Sequence, residues 1–128
     1  MVDMEKLTIN LTPVDLGQIE LLVEQGFYSN RAEFIRVAIH TQLAKHADTV
    51  REAAARQSFV IGAMIYDRAG LEKYRDAGKQ LNVHVVGFLS LADDVTPELA
   101  RETIAAVRVR GIFRAPKAVK EALADRTS

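Results

Sequence analysis

Lys6-Leu7-Thr8-Ile9-Asn10-Leu11-Thr12 is the stretch that most restricts how this chain can fold. Leu7, Ile9 and Leu11 alternate with Lys6, Thr8 and Asn10, and a period of two places the apolar trio on one face of a strand and the polar trio on the other. The segment runs straight into Thr12-Pro13-Val14-Asp15, a helix start with a hydroxyl at the N-cap, proline at the first helical position and an acid in the first turn. It therefore ends in a helix, not a hairpin. No second strand-like run occurs before residue 58, and a lone strand leaves a row of backbone N–H and C=O groups unpaired. An identical strand from a second copy, antiparallel about a twofold axis, repairs this at least cost, so the chain is expected to be an obligate homodimer.

Two helices follow. The first, from Pro13 to about Gln25, lines Leu16, Ile19, Leu22 and Val23 along one stripe and stops at Gly26. Phe27 and Tyr28 cross a tight turn into Ser29-Asn30-Arg31-Ala32-Glu33, where Asn30 with Glu33 three residues on reads as a capping box and Ser29 is the rival cap. The second helix, Arg31 to about His46, is expected to bury Phe34, Ile35, Ala38, Ile39 and Leu43. Its free N–H groups and positive dipole end make an anion site.

Strand, Thr-Pro helix start, glycine turn and capped helix within about 45 residues resemble the ribbon-helix-helix repressors, the superfamily of Arc, the methionine repressor and CopG. The resemblance covers roughly residues 4–46. It implies a two-stranded intermolecular ribbon lying in the DNA major groove, with Lys6, Thr8 and Asn10 turned toward base edges. Thr8 and Asn10 both donate and accept hydrogen bonds, and Lys6 suits guanine or phosphate. It further implies that Ser29, Asn30 and Arg31 clamp a phosphate at the second helix start. Leu7, Ile9, Leu11, Phe34, Ile35 and Ile39 become the dimer core.

Charge is less accommodating. Residues 1–57 hold six basic and eight acidic groups, a balance of −2, although phosphate neutralisation usually makes DNA-binding domains basic. Residues 58–128 hold eleven basic and nine acidic groups. Zero cysteines exclude a disulfide framework and any thiolate zinc finger. The start carries no signal pattern and the longest apolar run, Phe59 to Tyr66, is too short for a bilayer, so a cytoplasmic protein without a membrane is expected.

Past an alanine- and charge-rich helical linker at 47–57, the second half is periodic. Val60-Ile61-Gly62-Ala63-Met64-Ile65, Val85-Val86-Gly87-Phe88-Leu89 and Val109-Arg110-Gly111-Ile112-Phe113 set three glycines 25 and 24 residues apart. Each strand leads to a helix-like segment: Ala69-Gly70-Leu71-Glu72, Thr96-Pro97-Glu98-Leu99 and Ala115-Pro116-Lys117-Ala118. Three strand–helix units at this period predict a short solenoid-like α/β domain with parallel strands, for oligomerisation or partner binding. The expected class is thus α+β, with domains at 1–46 and 58–128.

Two other chemistries lack the residues they need. A metal-sensing domain needs converging histidines, but His40 and His46 fall on different faces of a helix and His84 is alone in a strand. Asp93-Asp94-Val95-Thr96-Pro97-Glu98 is explained by a helix start without an ion. No phosphate loop, nucleophile elbow or paired-His helix occurs, so neither catalysis nor a cofactor or metal is expected. The expected function is sequence-specific transcriptional repression on double-stranded DNA by a homodimer, extended to tetramers or larger through 58–128. The alternatives are an antitoxin whose second half binds a toxin protein, and a self-assembling scaffold.

Overall fold

A computed structural model of the chain describes residues 4–128; the first three residues of the expected 1–46 domain lie outside it. The chain divides into two compact units, one ending at Glu52 and the other comprising Ala53–Ser128.

In the first unit residues 4–12 belong to no helix or strand of the single chain, and α1 (Pro13–Glu24) and α2 (Arg31–Lys45) follow. Thr12 caps α1 through its hydroxyl, which accepts from the Asp15 N–H at 3.2 Å, with Pro13 where its missing N–H costs nothing. At the other end Gly26 N–H donates to the Val23 carbonyl (3.0 Å) and Phe27 N–H to that of Leu22 (3.1 Å). With Gly26 at φ +84°, this is a Schellman closure that turns the chain sharply toward α2. Tyr28 meets Phe34 edge to face, with ring centroids 5.0 Å apart, pinning the turn to the helix it precedes. A third helix, α3 (Ala47–Arg56), contains the boundary between the units.

The second unit alternates β1 (Val60–Tyr66), α4 (Arg68–Asp76), β2 (Leu81–Leu91), α5 (Pro97–Thr103), β3 (Ile104–Arg114) and α6 (Lys117–Ala122), ending in a 3₁₀ turn at Ala124–Arg126. The strands form one parallel sheet in the order β1-β2-β3, as short crossovers between sequential strands favour. Val83, Val85, Leu89 and Leu91 of β2 and Val107 of β3 are buried with Leu71 of α4, Leu99 and Ala100 of α5 and Val119 of α6. Those strand residues are two or four apart, so one face of the sheet carries the helices and the core. Helix starts are again chemically marked: Asp67 accepts from Gly70 N–H (2.7 Å) and Thr96 from Leu99 N–H (3.2 Å). Asp94 accepts from the Arg68 N–H at 3.1 Å, which gives that acid a structural task.

The three glycines that mark the period stand beside one another in the sheet, Gly62 with Gly87 and Gly87 with Gly111. All three have positive φ, at 142°, 136° and 135°. A Cβ on Gly87 would lie 2.1 Å from the Gly62 carbonyl oxygen, and one on Gly111 would lie 2.0 Å from that of Gly87. Only glycine fits a column in which each strand's carbonyl occupies the side-chain position of the next.

Candidate nucleic-acid interface

The first unit has almost no core of its own. Ile19 is the buried hydrophobic residue of its helices, and α2 buries none. Leu7, Ile9 and Leu11, the apolar trio of the alternating stretch, are 83%, 49% and 41% exposed. Phe34 and Ile35 are half-buried and Ile39 is exposed, as are Leu21, Phe27, Val37 and Leu43. A sequence that alternates so strictly yet leaves its apolar side in water is short of one packing surface.

Lys6, Thr8 and Asn10 are all exposed on the same stretch. Their alternation with Leu7, Ile9 and Leu11 puts them on the opposite side of any strand the segment forms.

The α2 start brings Ser29, Asn30 and Arg31 together, with acids among them. Asn30 caps the helix, its side-chain oxygen accepting from Glu33 N–H at 2.8 Å. Glu33 reaches back one residue further than a capping box requires, accepting from the Ser29 N–H at 2.7 Å and from the Ser29 hydroxyl. The Ser29 hydroxyl, then its N–H, holds the Glu33 carboxyl below the usual glutamate value of 4.5. Arg31 pairs across to Glu20 of α1 at 3.5 Å, both side chains more than half exposed. Glu33 and Glu20 thus occupy the donors of Ser29 and Arg31. Periodicity located the cap; it could not foresee Glu20, because a contact between two helices depends on their packing and not on spacing along either one.

Among the described residues no cluster of three or more His, Asp or Glu side chains could hold a metal ion. His84 Nδ1 instead lies 3.2 Å from the Gln57 carbonyl. No helix among them is long and apolar enough to cross a membrane.

The profile of the Ribbon-Helix-Helix transcriptional regulator family matches residues 2–120, extending far beyond the 4–46 stretch that carries the resemblance by motif. The transcriptional regulator CdrS of Halobacterium salinarum is 33% identical over 45 residues, which is 35% of this chain and 82% of that relative. No solved structure matches the chain.

Proposed function

The chain belongs to the Ribbon-Helix-Helix transcriptional regulator family, and from that premise we propose that it is a sequence-specific repressor acting by operator occlusion. Residues 6–12 of two copies pair antiparallel, satisfying each other's backbone groups, and the ribbon lies in the major groove. Lys6, Thr8 and Asn10 read base edges. Ser29, Asn30 and Arg31 at the two α2 starts grip the flanking phosphates, Arg31 exchanging Glu20 for phosphate on binding. Leu7, Ile9, Leu11, Phe34, Ile35 and Ile39 close the dimer core.

The observation that carries this reading is the exposed Leu7-Ile9-Leu11 row directly before a well-capped α1. A monomer would leave that row in water and its backbone unpaired, whereas a dimer removes both costs together.

The −2 balance of residues 1–57 weakens phosphate attraction for a single dimer. Residues 58–128, taken as a solenoid-like repeat domain joined by a helical linker at 47–57, offset this by coupling dimers on neighbouring half-sites, where effective concentration multiplies weak affinities.

Gel shifts on operator and random duplexes test the assignment. Asn10→Ala should erode the preference for operator by about 1–3 kcal/mol. Arg31→Ala should weaken all sequences alike and lower the salt slope by about 1. Unchanged binding in both variants would remove these residues from the interface.

A further inference from the structure

The glycine column is finished on one side of the sheet and unfinished on the other. Gly87 and Gly111 each have a carbonyl oxygen where a side chain would begin. Gly62 holds the same backbone conformation, φ +142°, yet none of the described residues lies within 4 Å of the place its Cβ would take. Among the described residues no such carbonyl contact accounts for that conformation in the edge strand. A further strand along the free edge of β1, repeating the column's translation, would put a carbonyl there.

We propose that this edge receives β3 of a second copy, parallel to β1 and with that copy's Gly111 beside Gly62, so that the C-terminal units stack head to tail. In the column the Gly62 carbonyl faces β2 and the Gly87 carbonyl faces β3, so the same translation turns the Gly111 carbonyl out toward the next strand. β3 is the other edge strand of the three-stranded sheet. The C-terminus bridges it at Val107 through Thr127, with Ser128 N–H on the Val107 carbonyl at 2.9 Å. A register that sets Gly62 against Gly111 places residues 60–65 against 109–114, just past that bridge.

The side chains agree with the register. Val60, Ile61 and Ile65 of β1 are more than half exposed. Val60 and Met64 align with Val85 and Leu89 of the core row, and Val85 and Leu89 align with Val109 and Phe113. A docked β3 would lay its Val109 and Phe113 beside Val60 and Met64, continuing the apolar row. An open, apolar strand edge without Lys or Pro is the kind that pairs with another chain.

This deepens the proposed coupling of dimers and rests on it, but needs no DNA. The chain has no cysteine, so single-cysteine variants report clean contacts. Ala63 aligns with Phe88 and Phe88 with Ile112, so the docked register makes Ala63 and the second copy's Ile112 neighbours about 5 Å apart. Full-length Ala63→Cys and Ile112→Cys proteins are treated with dibromobimane, a short dithiol cross-linker, separately and mixed. A covalent pair of chains should form in the mixture and in neither variant alone. Adding Gly62→Ala to the Ala63→Cys protein should abolish it, because the new Cβ takes the carbonyl's place.

No product in the mixture overturns the proposal, as does cross-linking by Ala63→Cys alone, which would mean twofold pairing of β1 with β1. If the melting transition of Ile112→Cys is lost, Ile61→Cys with Arg110→Cys samples the same register on exposed side chains and decides by the same criteria. DNA binding intact without the cross-link would separate failure of this contact from failure of the repressor reading.

Discussion

The units on either side of Glu52 treat their apolar residues in opposite ways. Ala53–Ser128 gathers twelve buried hydrophobic residues from β2, β3, the three helices and the loops between them into one cluster, nine of them at 0% exposure, Leu71 and Leu89 included. Residues up to Glu52 carry Leu7, Ile9, Leu11, Leu21, Phe27, Val37, Ile39 and Leu43 exposed, with Ile19 buried. The difference lies in topology. A strand–helix–strand crossover returns each strand to the sheet it left, so burial is completed within one chain. The alternating stretch before α1 has no strand of its own chain beside it and leads only into helices, so its apolar row stays exposed, and under the proposed function a second copy covers it.

This contrast predicts where substitutions act. The largest effect is expected at the glycine column: Gly87→Ala or Gly111→Ala drives a methyl into a backbone carbonyl and should abolish the cooperative unfolding of Ala53–Ser128 in calorimetry. Next comes Leu89→Ala, which leaves a void in a self-contained core and should cost about 2–5 kcal/mol in denaturant titrations, equally at low and high protein concentration in the dilute range. Ile9→Ala should behave otherwise, costing about 1–2 kcal/mol of dimer stability and appearing in sedimentation equilibrium as a weaker association constant. An Ile9→Ala effect that ignored concentration would erase the distinction between the units.

Smaller effects sharpen the picture within the first unit. Glu20→Gln releases Arg31 from its exposed ion pair, so DNA affinity should rise by a few-fold at low salt, with little change in stability. The smallest effect is that of pH on the α2 cap. Glu33 has its folded value depressed by Ser29, so the contribution of its charged form is present above the unfolded value and is lost as pH falls through the folded one. Carboxyl NMR titration should find the Glu33 midpoint below 4.5, and Ser29→Ala should move it up toward that value.

The sequence made some of this legible and hid the rest for definable reasons. Thr12-Pro13, Gly26, Asn30 and Thr96-Pro97 mark helix ends by local chemistry, and all four stand at the ends they announce. The 25- and 24-residue glycine intervals marked three successive strand–helix units, and in the structure those glycines fall into register because units of nearly constant length return the chain to the same height. The positive φ of those glycines was not readable, since it arises from a neighbouring strand's carbonyl. Neither was the Arg31–Glu20 pair, or the reach of Glu33 to Ser29 in place of Asn30. The motif carried the family resemblance only to residue 46, whereas the family profile extends to 120, because repeats of common strand and helix formers hold no fingerprint as compact as the Thr-Pro and glycine-turn signals.

The most direct measurement of whether residues 6–12 are completed by a second copy is isotope-filtered NMR on an equal mixture of labelled and unlabelled full-length chains. Cross-strand contacts between copies, antiparallel and centred near Ile9, with the Leu7, Ile9 and Leu11 methyls touching α2 of the partner, are the predicted result. A monomer in which those methyls stay solvent-exposed, or fold back against their own chain without intermolecular contacts, would contradict it.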